Sequence, residues 1–172
     1  MIDNGAAIQA PIKILNCNAG FKGRKGTLYE GGIRVPFIVN QPGMVPIQTL
    51  DNLIYFPDMM PTLAALAKGT KHLPKQINGI NILPLFYGKQ VDTDNRLLYW
   101  EFPGKQRAAR KGDWKCVTIH PNQPLELYNL KEDPEETNNL AKKYPRRVKE
   151  FDEEMQRMHI PTPNWPQPGE QF

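Results

Sequence analysis

Residues 97–130 read LLYWEFPGKQRAARKGDWKCVTIHPNQPLELYNL. Four short runs rich in aromatic and aliphatic residues are broken there by Pro103-Gly104, Gly112-Asp113 and Pro121 to Pro124. Runs of this length bounded by Gly, Pro and Asp are strand signals, and a Gly-Asp pair between two of them closes a hairpin. The spacing predicts a small antiparallel sheet from Leu97–Phe102, Gln106–Lys111, Trp114–Thr118 and 125–130. Lys105, Arg107, Arg110, Lys111 and Lys115 interleave with these strand residues and read as charge on the open, solvated face of that sheet. Trp100 and Trp114 read as sheet packing.

Downstream, Asp133-Pro134-Glu135-Glu136 reads as a turn opening a short acidic helical start. Val148, Phe151, Met155 and Met158 recur at +3, +4 and +3, which predicts an amphipathic helix over 145–159. The proline-rich tail from Pro161 is expected to be extended. Upstream, Val35-Pro36-Phe37-Ile38-Val39 is a compact apolar run ending at Asn40-Gln41-Pro42-Gly43, which predicts a buried strand and a turn. Residues 58–67 predict a helix with Met59, Leu63 and Leu66 on one face, Pro61 in the first turn and Gly69 as its stop. Asn78-Gly79 and residues 80–85 suggest a turn into a packed connector, and the first 34 residues read mostly as irregular loop. A soft boundary falls near residues 88–95.

Composition narrows the function. The 172 residues are 40% hydrophobic and 23% charged, with 17 Pro and 13 Gly, enough for a core in a loop-rich chain. There is no serine, so serine-nucleophile hydrolysis by this chain is excluded. Cys17 and Cys116 are too few for a disulfide scaffold or a structural zinc site. His72, His120 and His159 lack carboxylate or cysteine neighbours at ligand spacing and read as surface or cap residues. No internal repeat, membrane-length apolar run or N-terminal signal is present in these residues, and a soluble chain without an address is expected. The net charge of +4 concentrates in residues 13–34, where Lys13, Lys22, Arg24, Lys25 and Arg34 face Glu30 alone. One short basic loop suits a small anion such as phosphate or sulfate better than nucleic acid, which needs a basic stripe.

Two stretches could carry chemistry. Asp3-Asn4-Gly5 places two oxygen-bearing side chains beside a residue that permits a bend, a donor type suited to Ca²⁺, although Asn-Gly is also a favoured tight turn. Gly23-Arg24-Lys25-Gly26-Thr27 is a glycine-flanked cationic loop in which Lys25 offers a compact positive charge. Its Lys-Gly order departs from a nucleotide-binding loop, and a solvated surface turn is the competing reading.

Taken together, Asp3-Asn4-Gly5 and Lys25-Gly26-Thr27-Leu28-Tyr29-Glu30-Gly31-Gly32-Ile33-Arg34-Val35-Pro36 resemble the sulfatase family. Asp58-Met59-Met60-Pro61-Thr62-Leu63 resembles its helix after the sheet strand. Asn78-Gly79-Ile80 through Leu83-Pro84-Leu85 resembles its DG-x-S-L-x-P-L connector, with Asn in place of Asp and of Ser. Leu98-Tyr99-Trp100-Glu101, Ala109 to Lys115, Glu126 to Leu130 and Asp133-Pro134-Glu135-Glu136 with Asn139-Leu140-Ala141 resemble its C-terminal subdomain.

The resemblance implies an α/β fold: the end of an alkaline-phosphatase-like α/β catalytic domain over residues 1–90, with a site loop, one sheet strand and one helix. A small α+β subdomain over 91–172 follows, an antiparallel sheet packed with a C-terminal helix. It implies sulfate-ester hydrolysis by a formylglycine made from Cys or Ser in Cys/Ser-x-Pro-x-Arg, with Ca²⁺ neutralising charge on the sulfate. By the match, Asp3 and Asn4 are metal ligands, and Lys25 contacts sulfate and stabilises the leaving group. Glu30 and Arg34, from their buried-looking, glycine-flanked context rather than from the match, are expected to fix the loop. Neither Cys17 nor Cys116 begins the required motif, so the nucleophile is expected in an upstream part. The chain is then the C-terminal part of a sulfatase, inactive alone, with residues 1–30 mobile without their upstream partner. The substrate implied is a sulfate ester, with a sulfated glycan as a candidate, and with neither nucleic acid nor membrane as partner. Family analogy places the protein in the periplasm or outside the cell. The runner-up is a non-catalytic sulfated-glycan or anion-binding module, and a related phosphohydrolase is the third reading.

Overall fold

The computed structural model describes residues 4–7, 16–103, 106–120, 122–163, 166 and 171. Asp3, Lys13, Lys105 and most of the tail after 163 lie outside them. The helices are α1 (Glu30–Ile33), α2 (Met59–Leu66), α3 (Leu83–Phe86) and α4 (Pro145–Met158). The strands are β1 (Leu97–Phe102), β2 (Gln106–Lys111), β3 (Trp114–Thr118) and β4 (Glu126–Asn129). The chain groups into two compact units, one holding residues up to Phe37 together with those from Leu97 onward, the other Ile38–Arg96. The described residues up to Phe37 thus group with the C-terminal sheet, whereas the sequence reading divides the chain near residue 90.

In the first unit the four strands form one antiparallel sheet in the order β1-β2-β3-β4, as residues 97–130 predict. Ala109 pairs with Cys116, and Cys116 with Leu127. Successive side chains alternate faces. Ala109, Cys116 and Leu127 therefore point one way, where Phe151 and Met155 of α4 bury themselves against them. Each of those two side chains contributes roughly 2 kcal/mol by leaving water. Ala108, Val117 and Tyr128 point the other way, under Leu28 of the upstream loop, with Tyr29 and Ile33 packed at its edge.

Both faces of the sheet are thus packed over, which corrects the solvated-face reading for Arg107, Arg110 and Lys115, whereas Lys111 is exposed as expected. Lys115 is fully buried. Arg107 reaches Asp152 of α4 at 3.5 Å, and Arg110 reaches Glu30 at 3.6 Å. Residues 133–136 do not start a helix either. The Asp133 carboxylate accepts the backbone N–H groups of Thr137 (3.0 Å) and Asn138 (2.8 Å), curling the chain into a turn.

The second unit is small and leans on buried polar contacts. Asp58, fully buried, receives Arg96 through two nitrogens at 2.5 and 2.6 Å and the backbone N–H groups of Tyr55 (3.0 Å) and Ile80 (2.9 Å). Thr62 Oγ1 accepts the N–H of Ile82 at 3.0 Å. The helix predicted over 58–67 is present as α2, but its buried residues are Pro61 and Thr62, while Leu63 and Leu66 are exposed. The predicted strand at 35–39 is absent: these residues pair with no strand among those described, and Ile38 is 86% exposed. A strand needs a neighbour to take its N–H and C=O groups, and Pro36 has no N–H to offer. Among the described residues no helix is long and apolar enough to cross a membrane.

Candidate functional site

The two stretches singled out for chemistry meet through their backbones. Gly5 N–H donates to Gly32 O at 2.9 Å, and Lys25 N–H donates to Ala6 O at 2.9 Å. Asn4, half-buried, therefore sits beside the segment to which Lys25 is tied, although about twenty residues separate them in sequence.

The glycines make this approach possible. A Cβ at Gly32 would lie 2.0 Å from Thr27 O, and one at Gly5 would lie 1.8 Å from Gly31 O. Both contacts are with backbone, which has no room to yield. The Gly31-Gly32 pair of α1 thus lets residues 21–27 wrap against that helix.

Arg24 to Thr27 form a tight turn. Thr27 N–H and hydroxyl both donate to Arg24 O, at 3.0 and 2.9 Å, while the hydroxyl accepts Arg24 N–H at 3.1 Å. Gly26 takes φ +90°, and its carbonyl accepts Gln106 Nε2 of β2 at 2.9 Å. Lys25 occupies the exposed tip. Among the described residues neither Arg24 nor Lys25 makes a salt bridge.

The other described cations of this basic loop are consumed by structure. Lys22 donates to the Tyr128 hydroxyl at 2.9 Å, lies 3.4 Å from Glu126 and stands 4.1 Å over the Tyr29 ring. Tyr29 and Tyr128 both donate to Glu126, at 2.7 and 2.6 Å. Burial alone raises the Glu126 carboxyl, but the hydrogen bonds from the two tyrosines and the Lys22 charge outweigh it and hold the group below the usual carboxylate range. Both tyrosine hydroxyls are pushed up, by burial first and by Glu126 second. Arg34 lies 4.7 Å over the Phe21 ring and 3.8 Å from Glu30.

Glu30 begins α1 and is buried, as its glycine-flanked context suggests. Its carboxylate accepts Lys115 Nζ at 2.8 Å, with Arg110 at 3.6 Å. Lys115 also forms an ion pair with Glu136 Oε1 at 3.0 Å, outside hydrogen-bond geometry. Glu136 Oε2 accepts the Glu30 backbone N–H at 2.6 Å. Burial pushes the Glu136 carboxyl above its usual range, against the pull of Lys115 and that amide. Arg110 and Lys115 are cross-strand partners. Two like charges so placed repel, and Glu30 and Glu136 are what counter them.

Lys25, Asn4, Glu30 and Arg34 are thereby brought to one corner of the first unit, while Asp3 lies outside the described residues. Residues 5 and 6 bond to residues 32 and 25, and Gly26 and Glu30 bond to Gln106 and Lys115 of the sheet. Lys115, Glu126 and Glu136 lie in the stretches that resemble the C-terminal subdomain and Lys22 lies outside them, but the sequence assigns none of the four a part in this cluster. Lys115 did carry a signal, a lone charge set among Trp114, Cys116 and Val117.

Asn4 offers a hard oxygen of the type Ca²⁺ takes, but one donor falls far short of six to eight. Among the described residues no group of three His, Cys, Asp or Glu could hold a metal. The corner fits a contributor to a cation site and not a closed site.

Residues 21–160 match the family described as N-sulphoglucosamine sulphohydrolase, C-terminal. A sulfatase of Formosa agariphila is 30% identical over 168 residues, which is 83% of this chain and 30% of that protein. A solved structure described under the metabolism of multiple glycosaminoglycans by Bacteroides thetaiotaomicron superposes with a TM-score of 0.71 at 28% identity, over 81% of this chain and 32% of that one. The crystal structure of Ps i-CgsB in complex with k-i-k-neocarrahexaose gives 0.71 at 25% identity, over 86% of this chain and 34% of that one. The chain spans about a third of the length of each of these relatives.

Proposed function

This chain belongs to the sulfatase family, whose C-terminal portion it matches, and we propose that it supplies one wall of a sulfate-ester hydrolase site and does no hydrolysis alone. The observation that carries this reading is the backbone pairing of residues 5–6 with residues 25 and 32, which brings Asn4 beside the turn bearing Lys25, a residue with no salt bridge among the described residues. In this reading Asp3 and Asn4 contribute oxygens to Ca²⁺, which when bound neutralises the sulfate's charge. The nucleophile is a formylglycine from an upstream Cys or Ser, since these residues contain no Cys/Ser-x-Pro-x-Arg.

Lys25 holds an ammonium group against the sulfate and the oxygen that leaves it. Negative charge grows on that oxygen as the S–O bond breaks, so a fixed cation there favours the transition state over the ground state. Glu30 and Arg34 keep the loop in place. The second unit supports the need for a complementary part. Ile47 and Phe56 stand exposed there, as do Met60, Leu63 and Leu66, spaced three apart on α2, and exposed large apolar side chains on one helix suit an interaction surface.

The oligosaccharide-bound relative supports a sulfated glycan as the substrate class. Calorimetric titration of the chain alone with sulfated oligosaccharides is expected to show no measurable heat of binding. Salt-sensitive affinity from the chain alone would instead favour a free-standing anion-binding module.

A further inference from the structure

We propose that Glu136 and Lys115 are positioning residues for the turn that carries Lys25, so that the C-terminal sheet sets the geometry of the sulfate-binding corner. The inference rests on the reading of Lys25 given above.

Its starting point is a backbone anomaly. Glu136 has φ +55°, in the left-handed region that glycine occupies without cost. Six described glycines take positive φ in this chain, yet a glutamate holds this position and is fully buried. The other described non-glycine residues with positive φ, Asn16, Ala19 and Lys68, are all exposed. A strained and buried glutamate persists where its side chain is needed. That side chain accepts the Glu30 N–H at the start of α1 through one oxygen and pairs with Lys115 through the other. The Asp133 turn, with its bonds to Thr137 and Asn138, curls the backbone that presents it.

Lys115 completes the link. It stands on β3, an interior strand of the sheet, and holds both carboxylates. From Glu30 onward the path to Lys25 runs through backbone, with Gln106 of β2 holding the turn separately at Gly26 O. Gly31 N–H donates to Lys22 O at 2.7 Å, Gly5 N–H to Gly32 O at 2.9 Å, and Lys25 N–H to Ala6 O at 2.9 Å. Moving α1 therefore moves both the turn and Asn4. Glu136 and Lys115 lie in the interior and act on the substrate only through Glu30.

The substitution Glu136→Gly separates the side chain's role from the backbone's, because glycine suits φ +55°. In the complete sulfatase, E136G is expected to lower kcat about 100-fold with KM within about threefold, the signature of a misplaced charge in the transition state. E136Q retains a carbonyl oxygen for the Glu30 amide and is expected to stay within about threefold of the parent. In NMR spectra of the chain itself, E136G is expected to displace the Arg24–Thr27 amide signals while those of β2 and β3 hold their places, and E136Q to leave the turn signals where they were. A mere loss of stability moves no native signal.

Unchanged turnover and unchanged turn signals in E136G would overturn the proposal, as would E136Q behaving like E136G. If the parent enzyme hydrolyses no sulfate ester, the proposed function fails, while the NMR comparison still decides the positioning claim. Should E136G not fold, Glu136→Asn, which tolerates the same backbone region but reaches less far, takes its place with the same outcomes.

Discussion

Lys25→Ala is expected to lower kcat of the complete sulfatase by about 10²–10³-fold, the usual consequence of removing one group aimed at developing negative charge. The effect should depend on the leaving group. A nitrophenolate carries its own charge well and needs Lys25 little, whereas a sugar alkoxide needs it much more. The loss is thus expected to be smaller for 4-nitrophenyl sulfate than for a sulfated sugar. Stability should hold within about 0.5 kcal/mol, because Lys25 is exposed and makes no salt bridge among the described residues. Equal losses on both substrates would show that Lys25 binds sulfate without assisting departure. An unchanged kcat would remove it from the site.

Lys115→Met is expected to cost about 3–5 kcal/mol of unfolding free energy, measured by denaturant titration at pH 7. The methionine fits the stem of the lysine, so the loss comes from charge and not from volume. Glu30 and Glu136 are left buried, with Arg110 at 3.6 Å and Arg34 at 3.8 Å as the remaining cations near Glu30. The pH dependence follows from the same picture. Burial already raises the Glu136 carboxyl in the parent, and losing Lys115 raises it further. A carboxyl whose folded-state pKa lies above its unfolded one binds more protons when folded, so stability falls as pH rises from the unfolded value through the folded one. The deficit of K115M is therefore expected to be larger at pH 8 than at pH 5. A deficit that is the same at both values would show that the carboxylates are not the source.

The two outcomes depend on features of very different legibility. The sheet was readable because its strands are punctuated locally: Gly112-Asp113 closes a hairpin between β2 and β3, whose registers follow directly. Helix α4 was readable because Phe151 and Met155 repeat at helical spacing and bury against the sheet. The site cluster was not, since its partners lie far apart in sequence. Lys115 meets Glu30 across 85 positions, and Glu136 meets the Glu30 amide across 106. Alternating charge on β2 and β3 looks like a wet face until the loop that covers it is known.

The run at 35–39 failed for the converse reason. Its composition is that of a strand, but strand formation needs a partner, and composition does not say whether one is present. Leu63 and Leu66 likewise carry a core-type pattern that the second unit leaves exposed. The corner formed by Asn4 and Lys25 became visible in sequence only through the order of the motifs. Its geometry depends on Gly5, Gly31 and Gly32 allowing backbones to touch.

The most direct measurement is hydrolysis of an aryl sulfate by this polypeptide, first alone and then joined to an upstream sulfatase portion carrying a modified Cys/Ser-x-Pro-x-Arg, with and without a calcium chelator. The expected result is no turnover from the chain alone, and chelator-sensitive turnover once the upstream portion is supplied. Metal-dependent turnover by the chain alone, or none from the joined protein when its upstream portion is correctly modified, would contradict the account.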